Sequence, residues 1–83
     1  MSTEDKDFTA WLREVGIRVK RARMQRHLSL RELAAMVGMD PGRISKLERG
    51  LEPNISLRRL YKLATALDIN IDELLHHSNF KHK

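Results

Sequence analysis

The segment Asp40-Pro41-Gly42-Arg43-Ile44-Ser45-Lys46-Leu47-Glu48-Arg49-Gly50 gathers hydrogen-bonding side chains of complementary type into a length that fits one short helix. Arg43, Lys46 and Arg49 can only donate, Asp40 accepts, and Ser45 does both. At about 100° per residue, Ile44 and Leu47 share one side of that helix. Gly42, Lys46 and Arg49 fall opposite, with Arg43 and Ser45 on the flanks. Such a set matches an array of acceptors and donors rather than a reacting bond. No Ser, His and carboxylate cluster, phosphate-cradling loop or paired-carboxylate motif accompanies it, so no enzyme is expected.

The charge indicates which array. Among 83 residues, 16 Lys and Arg stand against 11 Asp and Glu, a net charge of +5. The charges are segregated: Arg18, Lys20, Arg21, Arg23, Arg26 and Arg31 occur between Ile17 and Arg31 without an acid, while Glu4, Asp5, Asp7 and Glu14 precede them. A polyanionic partner is the direct implication. A basic first helix lying on a membrane surface is the rival; binding to a short duplex but not to anionic vesicles separates the two. The absence of cysteine excludes disulfides, thiolate metal sites and thiol nucleophiles. Apolar runs are too short to span a bilayer, and MSTEDKDF lacks a signal pattern, so a cytoplasmic location is expected. A chain of this size buries only about 60% of its unfolded surface, which leaves little room for a deep cavity; no cofactor or small-molecule ligand is expected. Adjacent His76 and His77, with His82 beyond, point in different directions on a helix, and no metal site is expected.

The elements that must position these groups are helical. Leu12, Val15, Val19 and Ala22 form one apolar stripe, and Leu57, Leu60, Leu63, Ala64 and Leu67 another. Ser29 with Glu32 and Asn70 with Glu73 have capping-box spacing, Asp40 precedes Pro41 at a first helical position, and Ser56 precedes Leu57. Gly38 and Gly50 sign helix stops. The spacing predicts an all-α chain with helices at about 8–26, 30–37, 41–49, 57–67 and 71–77, flanked by mobile tails at 1–7 and 78–83 around one domain at 8–77. Met24, Met36 and Met39 read as core or turn filler. Phe8 and Trp11 read as a cover over the first helix.

From Leu30 to Arg49, two short helices meet at Ala34 and turn at Gly38, with Leu33, Val37, Ile44 and Leu47 as their inner face. This is the layout of a helix-turn-helix, whose second helix enters a major groove. With LSLRELAAMVGMDPGRISKLERG followed by SLRRLYKLATALDINIDELL, residues 15–75 resemble the Cro-like, or Xre, family. The short controller proteins of restriction-modification systems are the branch they most resemble. The resemblance implies a five-helix, lambda-repressor-like domain that regulates transcription, commonly as a homodimer on a palindromic operator. An antitoxin or other protein-binding module of the same fold is the alternative.

The helical wheel supplies an independent check. With Leu12 at zero, Val15 and Val19 lie about 60° and 20° to one side and Arg23 about 20° to the other, placing a cation within an apolar stripe. A buried partner is required. Glu48, between Ile44 and Leu47, is the candidate, and the resemblance implies the same Arg23–Glu48 pair. Base readout is expected from Arg43 and Lys46 to guanine, Asp40 to cytosine, Ser45 to several bases and Leu30 to a thymine methyl. Leu30 stands where the family often has glutamine, and Pro41 where the controller branch has arginine. Ser29, Arg31, Arg49, Arg58, Arg59 and the Gly42 backbone are expected at phosphates. Ile55, Tyr61, Ile69, Ile71, Leu74 and Leu75 exceed what one small core covers and are expected at a dimer interface.

Overall fold

Capped starts and left-handed stops divide residues 3–76, those that the computed structural model describes, into five helices. These are α1 (Thr3–Gln25), α2 (Leu30–Val37), α3 (Pro41–Glu48), α4 (Leu57–Ala66) and α5 (Ile71–Leu75). Ser29 and Glu32 complete a capping box: Glu32 N–H donates to Ser29 Oγ at 3.0 Å, and Ser29 N–H to Glu32 Oε1 at 2.7 Å. Asp40 Oδ2 accepts from Gly42 N–H at 2.9 Å, and Ser56 Oγ from Arg59 N–H at 3.1 Å. Asn70 departs from expectation. Its side chain makes no cap hydrogen bond, and Glu73 N–H donates instead to the Asn70 carbonyl.

Two boundaries differ from the sequence reading: α5 ends at Leu75 rather than at 77, and α1 begins earlier. Residues 3–7 belong to α1 rather than to a tail; Glu4 and Asp5 complement the positive end of the helix, and Thr9 Oγ1 donates to the Asp5 carbonyl. α1 and α4 stop without glycine, at His27 (φ 56°) and Asp68 (φ 57°), whereas Gly38 (φ 69°) makes the expected stop after α2. His77, His82 and the expected tail at 78–83 lie outside the described residues.

The core joins Val19 and Ala22 of α1, Leu33, Ala34 and Val37 of α2, Ile44 and Leu47 of α3, and Leu63 and Ala64 of α4, closed by Leu67 and Leu74. Met39 joins it as expected of a filler, but Met24 and Met36 are exposed and fill nothing. α1 packs against α3 and α5, and α2 against α3 and α4.

The tightest crossing is one that the sequence reading did not identify. Gly16 faces the end of α3: a Cβ there would press on the Leu47 carbonyl oxygen and lie 2.6 Å from that of Glu48. Both obstacles are backbone, so the helices must separate to admit a methyl group. Gly16→Ala is expected to cost about 3 kcal/mol. In a thermal melt the transition should fall by about 12 °C or more; an unchanged midpoint would mean that α1 and α3 are not held at this distance.

Candidate nucleic-acid interface

α3 is oriented by an ion pair. Arg23 Nε donates to Glu48 Oε2 at 2.7 Å and Nη2 to Oε1 at 3.0 Å, a two-pronged contact. The third nitrogen, Nη1, donates to the Leu28 carbonyl at 2.8 Å, just before the α2 cap. The side chains are 12% and 5% exposed. The hydrogen bond to Glu48 raises the Arg23 pKa above its ordinary value, against the opposing effect of burial and with help from the carboxylate charge. Since folding favours the charged form, this contribution is complete below the ordinary guanidinium pKa as long as Glu48 is ionised, and is lost as pH rises through the raised value. The pair is where the wheel argument places it.

With Ile44, Leu47 and Glu48 held inward, Gly42, Lys46 and Arg49 are turned outward on α3; Lys46 and Arg49 are exposed. Arg43 and Ser45 are half-buried on the flanks. Several of the expected contact groups already have protein partners, among them the Gly42 N–H expected at a phosphate, which donates to Asp40. Asp40 Oδ2 caps α3, which leaves Oδ1 as its other acceptor. Arg49 Nε folds back to the Ser45 carbonyl at 3.3 Å. Arg43 Nη2 donates to Glu52 Oε2 at 3.0 Å. Leu30 is half-buried against the core, so only part of it is available for a methyl contact.

Of the expected phosphate ligands, Ser29, Arg31 and Arg58 are exposed, and Arg59 is half-buried. Ser29 Oγ accepts from Glu32, which leaves its proton for donation. The first amides of α2 and α4 lack partners within their own helices, so each helix presents a positive end beside these side chains.

The basic run between Ile17 and Arg31 is in part structural. Arg18 donates to the carbonyls of Leu74 and His76 at the end of α5 and pairs with Glu14 at 3.1 Å. Arg26 donates to the Leu67 carbonyl at the end of α4 and reaches Asp68 at 3.4 Å. Together with Arg23, these account for three of the six cations. Lys20, Arg21 and Arg31 remain exposed.

Residues 19–74 match the family described as helix-turn-helix. The chain belongs to the Cro-like (Xre) helix-turn-helix family. The HTH-type transcriptional regulator SinR of Bacillus subtilis is 36% identical over 61 residues, 74% of this chain and 55% of SinR; the chain spans about half the length of that relative. The crystal structure of the restriction-modification controller protein C.AhdI from Aeromonas hydrophila has 42% identity and a TM-score of 0.74 over 78% of this chain and 97% of that one. SinR in complex with DNA has 36% identity and a TM-score of 0.69 over 74% and 97%.

Within this helix-turn-helix chain the residues expected at a dimer interface separate. Leu74 is fully buried at 0% exposure in the protomer's own core, because α5 packs between α1 and α4, and it is removed from the interface. Ile55, Ile69, Ile71 and Leu75 are half-buried against that core. Ile55 and Leu75 line a cavity of about 200 Å³ with Phe8, Trp11 and Leu57. Tyr61 lies instead on a groove between α2 and α4, beside Met36. It is 64% exposed, and Leu57, one turn earlier on α4, is 67% exposed.

The roles of Glu52 and Gly16 are missing from the sequence reading. Neither has a periodic signal: Glu52 reaches Arg43 only because the chain reverses at Gly50 (φ 75°). Arg23→Ala leaves Glu48 buried without its partner and is expected to cost about 3 to 5 kcal/mol. Calorimetry checks this. A melting temperature equal to that of the wild type would mean that the pair does not fix α3.

Proposed function

We propose that this chain is a sequence-specific double-stranded DNA-binding transcriptional regulator that acts as a homodimer on a palindromic operator, with α3 in the major groove. The observation that carries this reading is the orientation of α3. A buried two-pronged ion pair holds its inner face, and Arg43, Ser45 and Lys46 lie on its flanks and outer side. The likeness to SinR, solved in complex with DNA, supports it.

Lys46 and Arg43 donate to guanine O6 and N7, Ser45 adapts to its neighbours, and Gly42 lets the helix backbone approach the groove. Asp40 Oδ1 accepts from cytosine, and the exposed part of Leu30 meets a thymine methyl. Ser29, Arg31, Arg49, Arg58 and Arg59 neutralise or bind phosphates on either side, with the amides at the starts of α2 and α4. One eight-residue recognition helix spans few base pairs, so a second copy is needed for useful discrimination. The exposed α4 stripe of Leu57 and Tyr61, with Ile55 and Leu75 at one edge, supplies an apolar surface for two-fold pairing.

Selection of bound duplexes from a random library tests this reading. Enrichment of a two-fold symmetric motif with half-sites about one turn apart is expected; a library that stays random would refute it. Affinity should fall steeply with salt. Lys46→Ala should cost roughly 1 to 3 kcal/mol and relax one base position, whereas Arg58→Ala should weaken all sequences alike. In sedimentation at micromolar concentration the wild type should run as a dimer and Tyr61→Asp as a monomer. A wild-type monomer that stays monomeric on the selected operator would remove the homodimer from the proposal.

A further inference from the structure

The Arg43–Glu52 pair joins a base-reading candidate to an acid that lies outside the helix-turn-helix. Glu52 is held in place. Gly50 N–H donates to the Leu47 carbonyl at 2.9 Å and Leu51 N–H to that of Lys46 at 2.8 Å, tying the start of the connector to the end of α3. The Glu52 side chain is only 16% exposed, against 39% for Arg43. A partly exposed pair of this kind adds little to stability. A carboxylate beside a DNA-binding surface also repels phosphate. Its effect therefore falls on what Arg43 is able to do.

We infer that Glu52 is a specificity-determining positioning residue, which aims the Arg43 guanidinium at one base and withholds it from the phosphates. This inference rests on the DNA-reading function proposed above. Nη2 carries two N–H groups, and Glu52 takes one. The other runs parallel to an N–H of the adjacent guanidinium nitrogen, and those two form the fork that fits guanine O6 and N7. An unrestrained arginine would swing freely to any nearby phosphate oxygen, a contact that carries no sequence information. Glu52 narrows that swing and lowers the local positive charge. It thereby weakens binding to arbitrary DNA and sharpens discrimination at a single position.

The test compares wild type, Glu52→Gln, Arg43→Lys, Arg43→Ala and the Glu52→Gln/Arg43→Ala double variant. Each full chain is titrated with the library-selected duplex, with that duplex altered one base pair at a time, and with a scrambled duplex. Glu52→Gln keeps the side-chain shape, and a thermal melt verifies its fold. It should bind the scrambled duplex more tightly and lose about fivefold or more of the discrimination at one position. Arg43→Lys, which keeps the charge without the fork, should flatten the same position. In the Arg43→Ala background, Glu52→Gln should change discrimination nowhere. A Glu52→Gln variant with the wild-type base profile, or one whose effect persists without Arg43, would overturn the inference while leaving DNA reading intact. A wild type with no base preference would overturn the DNA-reading function itself, and the inference with it.

Discussion

The guanidinium of Arg23 donates from all three of its nitrogens, two toward Glu48 on α3 and one toward the Leu28 carbonyl at the entry to α2. One side chain thus connects α1 to both helices of the helix-turn-helix. A fork of donors meeting a carboxylate tolerates little rotation, so the pair fixes the turn of α3 about its own axis as well as its position. Apolar residues of equal volume could fill the same space with similar stability. They would not impose that direction. The backbone contact of α1 and α3 at Gly16 brings the two helices near enough for the fork to close.

The same helix serves as a brace for the carboxy-terminal half. The ends of α4 and α5 leave carbonyls without partners in their own helices. Arg26 satisfies Leu67, Arg18 satisfies Leu74 and His76, and Trp11 Nε1 donates to Leu75 at 3.0 Å. Cations at the negative ends of helices are also electrostatically favourable. Part of the positive charge of this region thus acts inward, through Arg18, Arg23 and Arg26, while Lys6, Arg13, Lys20 and Arg21 of α1 stay exposed.

Much of this was legible in the sequence, for identifiable reasons. Ser29, Asp40, Ser56 and Gly38 act through neighbours within a few residues, so their spacing alone revealed the helix boundaries. Arg23 and Glu48 were legible as a pair because each breaks the pattern of an apolar face. Long-range placement was less accessible. Arg18 and Arg26 looked like part of a basic surface until the ends of α4 and α5 were seen beside them. Leu74 looked like surplus apolar surface because five residues of α5 do not reveal which way the helix leans. Gly16 lies within a helix, where glycine carries no turn signal, and its role depends on a crossing that no local pattern encodes. The separation of Arg43 from Glu52 matches no helical repeat, and only the reversal at Gly50 brings them together.

Under the proposed function, these relations make α3 a firmly oriented reader with one flank aimed by a neighbouring acid. Amide chemical-shift mapping with a selected duplex addresses that arrangement most directly. The account predicts that shifts concentrate in residues 29–31, 40–46, 52 and 56–59 and spare the exposed side of α1 around Ile17 and Met24. Shifts centred on α1, with α3 unperturbed, would contradict it.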